Sequence, residues 1–190
     1  VGTDVKGLSL VMADRSLTGA ELEMVSMIAR ETRLRTLVRQ LRDTYDYIFI
    51  DTPPSLGLLT LNGLVAADTV IIPLHSEYFA LEGLADLVAT VRRVRTSLNP
   101  QLEIEGVLLT MHDERTNLGQ QVAREVREFF KEKVFETVIP RNIKLGEAPS
   151  HGIPAILYDK NSRGALAYLS VAKEILSREL QVNKTEDNHG

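Results

Sequence analysis

An α/β fold, a mostly parallel doubly wound sheet with helices on both faces, is what the 190 residues predict. Three observations carry that prediction. Short apolar runs alternate with longer segments of helical periodicity, the runs are continuously apolar rather than alternating, and one strand-like run ends abruptly on a carboxylate, "YIFID" at 47–51. Alternation implies right-handed crossovers between parallel strands, and continuous apolar runs mark strands buried on both sides. A charge closing such a strand must be hydrated, paired or bound to a cation.

The elements follow in order. "LSLVMAD" (8–14) is a short apolar run, and 17–43 then carries apolar residues at helical spacing, opened by Thr18 and Glu21 in the form of a capping box. Leu34, Leu37, Val38 and Leu41 make one stripe of that region, and Arg33, Arg35, Arg39 and Arg42 read as its solvated face. The strand 47–51 precedes a loop, a short helix around Leu58–Ala67 and the strand "TVIIPL" (69–74). Leu84, Leu87, Val88, Val91, Val94 and Leu98 give a helical stripe closed by Asn99 and Pro100, with Arg92, Arg93 and Arg95 on an exposed face. Strands at 104–110 and 134–140 bracket a helix at 118–133, and a last helix covers 162–180. The stretch 141–160 reads as a long loop, a length that tends to serve function. Residues 1–178 are expected to form one domain and the polar 179–190 a disordered tail.

Composition narrows the chemistry. A hydrophobic content of 44% supports one substantial core, and 22 Lys and Arg against 26 Asp and Glu, a net of -4, mean that any nucleic-acid contact needs a local basic patch. The absence of cysteine removes disulfides, thiolate zinc sites, cysteine nucleophiles and iron–sulfur ligation, and fits a reducing, cytoplasmic setting. No apolar stretch reaches the length of a membrane span. The chain opens on Val1 rather than Met, so a cut start is expected. His75, His112, His151 and His189 lack metal-ligand spacing and are read as structural or exposed. Ser55, in "PPSLG", lacks the first glycine of a hydrolase elbow.

In doubly wound sheets ligands bind outside the carboxyl ends of the strands, so Asp51 and the loops after Leu74, Thr110 and Pro140 are expected to converge on one edge. Asp51 has the form of a Walker B carboxylate, which holds Mg2+ directly or through water beside nucleotide phosphates. A carboxylate that simply caps the following turn fits the same pattern. Pro53 forces Thr52 out of helical geometry, so the next helix cannot begin early.

The run "YDYIFIDTPPSLGLLTLNGLVAADTVIIPLHSEYFALEGL", with "EIEGVLLTMHDERTNLGQQV" and "VIPRNIKLGEAPSHGIPAILYDKNSRGALAYLSVAKEIL", closely resembles the ParA/Soj family of chromosome- and plasmid-partitioning ATPases over about Leu8 to Leu176. The resemblance implies a deviant-Walker P-loop fold that forms a homodimer around ATP and Mg2+, binds DNA without sequence preference, is stimulated by a ParB partner, and is cytoplasmic and nucleoid-associated. It implies Asp51 as the Walker B aspartate and Thr52, Pro53, Pro54 and Ser55 as switch II. Pro140, Arg141 and Asn142 become candidates for the loop beside adenine, although Pro140 also reads as a plain strand terminator. Arg115, Arg141, Lys144, Lys160 and Arg163 become candidates for DNA phosphates, against the reading that scattered surface cations contact nothing. MinD-type membrane attachment has no counterpart in the polar end of the chain.

One departure is large. The family's K-G-G-x-G-K-[ST] loop and its D-x-D-P-Q segment have no match, and no Gly-Lys dipeptide occurs anywhere. Phosphoryl transfer depends on positioned charge around the phosphates, so these 190 residues alone are expected neither to bind ATP tightly nor to hydrolyse it. Loss of the first strands is also expected to expose sheet edges and favour association. A non-enzymatic module that keeps DNA or partner contacts is the alternative.

Overall fold

The computed structural model describes residues 1–14, 16–76 and 80–187. The chain divides into two compact units, Val1–Asp68 with Val91–Leu102, and Thr69–Thr90 with the chain from Glu103 onward.

The first unit is helical in its ordered parts. Its helices are α1 (Ser16–Met24), α2 (Arg33–Arg39) and α3 (Leu58–Ala66), with a 3-10 turn at Arg30–Thr32 and the last turns, from Val91, of the helix Ala80–Ser97. The helical spacing over 17–43 therefore gives two helices and a 3-10 turn rather than one continuous helix. Ala29 takes a left-handed φ of 56° before the 3-10 turn, and Val25, Met27 and Ile28 find no apolar cover and stand exposed. Without a burying surface, apolar periodicity alone does not hold a helix together. The capping box is corrected as well. Helix α1 starts ahead of Thr18, and Glu21 Oε1 instead accepts the Leu58 amide at 2.7 Å, capping α3.

Helix α3 buries Leu64, Val65 and Ala66, and Asn62 Nδ2 donates to the carbonyls of Arg30 and Leu58 while its Oδ1 accepts from Leu34 N. At the helix's other end Asn99 Nδ2 donates to the carbonyls of Leu64 at 3.1 Å and Ala67 at 2.7 Å, satisfying groups that a helix end leaves open. The arginine face of 33–42 is only partly solvated: Arg35 donates to Leu98 O and Arg42 pairs with Asp68. Residues 47–51, expected as a strand, form no ladder among the described residues, and Phe49 is 77% exposed. An apolar, β-branched sequence favours extension, but a strand exists only where a neighbour supplies the hydrogen bonds.

The second unit carries the sheet. Strands β1 (Thr69–His75) and β2 (Glu103–Thr110) pair in parallel, with an irregularity between Val70 and Ile71. Residues 134–140 run along the other edge of β2 through parallel bridges Val107–Val134 and His112–Pro140, more loosely than the expected strand. On one face Ile72, Leu74, Val107 and Leu109 pack with Leu84 and Val88 of α4 (Ala80–Ser97) and Val122, Ala123 and Val126 of α5 (Asn117–Phe130). The opposite face sets Leu108, Phe135 and Ile139 against Val171 of the last helix. Helices thus cover both faces of a parallel sheet, the predicted class, and β2 is buried without alternation for that reason.

The expected loop 141–160 is largely helical instead. It holds α6 (Ile143–Glu147), a 3-10 turn at Ala148–His151 and α7 (Ala155–Tyr158). Asn142 caps α6 by accepting Lys144 N, and Gly152 at φ 67° ends the turn. Helix α8 (Arg163–Asp187) continues through 179–187, where an irregular tail was expected; that stretch contains no proline or glycine to stop it.

Candidate functional site

The predicted site residues divide between the two units, Asp51 to Ser55 in the first and Arg115, Pro140, Arg141, Asn142, Lys144, Lys160 and Arg163 in the second. In the second unit the loops that leave β1 and β2 meet the end of segment 134–140, as the topology requires. Ser76 Oγ and His112 Nδ1 are 2.8 Å apart, His112 N donates to Ile139 O at 3.1 Å, and Arg141 N donates to His112 O at 3.2 Å. Met111, at the turn out of β2, takes a left-handed φ of 49°, a conformation costly for a residue with a side chain. Thr116 then caps α5, its Oγ1 accepting Gly119 N at 3.2 Å; a Cβ at Gly119 would stand 2.8 Å from that oxygen, so the close fit needs glycine.

The cations of this unit differ in how far they are committed. Arg115 donates to Asp113 through Nε at 2.9 Å and Nη2 at 2.8 Å, and its backbone amide reaches the same carboxylate. These bonds, with the charge of Arg141 adding to them, hold the Asp113 carboxyl well below the usual range. Lys144 Nζ donates to Glu147 Oε2 at 2.8 Å, and Tyr158 Oη donates to the same oxygen at 3.0 Å, with His151 stacked on the Tyr158 ring. Arg141, Lys160 and Arg163 are exposed. Asn142 spends its Oδ1 on capping α6. Pro140 sits half-buried, bridged to His112.

In the first unit Asp51 is exposed at the head of the segment 51–57, "DTPPSLG". Thr52 packs against α3 where Gly63 leaves room: a Cβ there would lie 2.8 Å from Thr52 Cγ2. Thr60 Oγ1 lies 3.1 Å from Pro53 O and 2.6 Å from Ser55 O. A lone carboxylate ahead of a fixed loop suits Mg2+, which takes one or two protein carboxylates and fills its remaining positions with phosphate oxygens and water. No group of three or more His, Asp or Glu among the described residues forms a self-sufficient metal cage.

Sequence reasoning missed Thr60, Gly63 and the Ser76–His112 pair. The signal for the first was legible: Thr60 and Asn62 are polar residues in an otherwise apolar helix, "LLTLNGLVA", and both are buried. Such residues are retained where their hydrogen bonds are used. No spacing rule joins Ser76 to His112.

A family profile described as an AAA domain matches residues 1–104. The sporulation initiation inhibitor protein Soj of Bacillus subtilis is 57% identical over 173 residues, 91% of this chain and 68% of that protein. The chromosome-partitioning ATPase Soj of Treponema pallidum is 51% identical over 179 residues, 94% of this chain and 71% of that one. Among solved structures, cobyrinic acid a,c-diamide synthase from Mycobacterium smegmatis with bound ATP analog and magnesium superposes with a TM-score of 0.74 at 35% identity, covering 86% of this chain and 61% of that one. The chain thus spans less than two thirds of the solved structure it matches. No helix among the described residues is long and apolar enough to cross a membrane. On sequence over more than nine tenths of its length, and on a parallel sheet covered on both faces, this chain belongs to the ParA/Soj family of partitioning ATPases, with a P-loop NTPase fold.

Proposed function

We propose that this chain supplies the magnesium and sensing half of a partitioning ATPase that dimerises with ATP, holds DNA without sequence preference and is stimulated by a ParB-type partner. The observation that carries the reading is the segment 51–57: an exposed carboxylate followed by a short loop whose backbone is tied to α3. Asp51 would hold Mg2+, and bound magnesium supplies charge neutralisation at the phosphates. Thr52, Pro53, Pro54 and Ser55 then form the segment that registers the γ-phosphate, with two prolines limiting the conformations it can take. Pro140, Arg141 and Asn142 are the candidates to lie beside a base, through backbone groups other than the Arg141 amide and the Asn142 carbonyl, which His112 O and Leu145 N already engage. Arg141, Lys160 and Arg163 serve DNA phosphates better than Arg115 or Lys144, because Asp113 and Glu147 already neutralise the latter two.

The 190 residues contain no Gly-Lys dipeptide to grip the phosphates. By themselves they neither bind ATP tightly nor turn it over. A chimera joining the K-G-G-x-G-K-[ST] segment of a relative ahead of Val1 is expected to hydrolyse ATP with Mg2+ and DNA, and Asp51→Ala in it to lower kcat by about a hundredfold or more. Unchanged kcat and nucleotide affinity in that variant would end the reading. Salt-dependent DNA binding by the 190 residues without nucleotide would instead favour a non-enzymatic interaction module.

A further inference from the structure

We infer that Thr60 is the positioning residue of the Asp51–Ser55 loop, and that its single hydroxyl, seated on α3, is the latch fixing that loop's backbone. The meaning of the loop for magnesium rests on the function proposed above; the latch itself rests only on geometry.

Residues 51–56 are exposed and irregular, and apart from two prolines their own sequence does nothing to hold them. Thr60 is buried at 5% exposure. Three α-helical threonines, Thr36, Thr90 and Thr96, return their hydroxyls to the carbonyl four residues back, those of Thr32, Asp86 and Arg92. Thr60 does not. Its Oγ1 turns to the carbonyls of Pro53 at 3.1 Å and Ser55 at 2.6 Å, which flank Pro54. A hydroxyl has one proton. It therefore grips both sides of Pro54 through one shared donor, and losing it frees two carbonyls together.

Sterics add a second, independent hold on the same loop. Gly63, one helical turn beyond Thr60, leaves the space that Thr52 Cγ2 fills; a Cβ at 63 would be 2.8 Å from that methyl and 3.5 Å from Ile50 Cγ2. The residue after Asp51 is thus seated on α3 by shape, and the residues around Pro54 by hydrogen bonding. Glu21, by accepting Leu58 N, anchors the helix end on which both depend.

The test uses the 190-residue chain without nucleotide, by backbone 15N relaxation of Ser55, Leu56 and Gly57. The wild-type order parameters are expected near 0.8, about the value of rigid backbone, and to fall below about 0.6 in Thr60→Val, which keeps the shape and removes the donor. Thr60→Ser restores them, while α2 and α3 keep theirs in all three proteins. Gly63→Ala is expected to shift the Thr52 amide resonance while leaving Ser55–Gly57 ordered. Already mobile wild-type residues, an indifferent Thr60→Val, a Thr60→Ser that fails to restore order, loosening spread through the unit, or an unmoved Thr52 would each overturn the latch. Because nucleotide is absent, such a result leaves the role of Asp51 to the chimera, and failure of the chimera leaves the latch standing.

Discussion

Glu174 shows how much one side chain can hold. Its carboxylate accepts the amides of Glu136 at 2.8 Å and Thr137 at 3.0 Å and pairs with Arg178 at 2.9 Å, so α8 grips the segment 134–140 through an ionised group. Burial pushes this carboxyl up, but the Thr137 and Glu136 amides and the Arg178 guanidinium together outweigh it, and the net shift is down. A carboxyl lowered in the folded state contributes stability that is complete above its ordinary value of 4.5 and is lost as pH falls through the lower folded value. Glu174→Ala is expected to cost about 2 kcal/mol at neutral pH, read as a lower midpoint in thermal unfolding. The difference between variant and wild type should shrink steadily below pH 4.5, and a difference constant with pH would refute the assignment. None of this was legible in the sequence, where Glu174 and Arg178 look like an ordinary i,i+4 surface pair. Asp51, by contrast, is singled out by sequence alone, as a charge at the end of an apolar run, and its role is the proposal made above.

At the scale of elements, β2 and its neighbour meet where a side chain is missing. A Cβ at Gly106 would lie 2.7 Å from Lys133 O and 2.8 Å from Phe135 Cε2, and backbone cannot step aside as a flexible side chain can. Gly106→Ala is therefore expected to destabilise the second unit by about 2 kcal/mol, by the cost of overpacking, measured by urea unfolding. Beside it, Arg178 lies over the Phe135 ring at 4.3 Å and donates to the carbonyls of Glu105 and Val134. Arg178→Lys should be weaker by about 1 kcal/mol in the same assay, because an ammonium cannot span both carbonyls and stack on the ring. The periodicity that announced α4, α5, α8, β1 and β2 was sound because each packs its apolar side on a partner. It misled over 25–28, where Val25, Met27 and Ile28 stand exposed, over 47–51, where no neighbour supplies ladder hydrogen bonds among the described residues, and over 141–160, where caps and short turns build helix from a sequence with little periodicity.

For the whole molecule the main consequence is uncovered apolar surface. Ile28 is 91% exposed, Val11 88%, Ile143 78% and Phe49 77%, spread over both units. Single exposed apolar side chains are ordinary, but this many large ones favour association. Sedimentation velocity at tens of micromolar is expected to show concentration-dependent species beyond the monomer, reduced in the double variant Ile28→Ser, Phe49→Ser. A sharp monomer at every concentration would contradict this.

By itself the sequence determined the fold class, the family and the acidic residue at the end of 47–51, because these depend on local pattern: runs of apolar residues, a charge out of place, and motifs read in order. Only the tertiary structure decided which extended runs become strands and which hydroxyl holds the loop after Asp51. It also decided which cations are already paired with Asp113 and Glu147. Those outcomes depend on what a residue meets across space, and hydrogen bonds and ion pairs between distant parts of a chain leave no periodic trace along it.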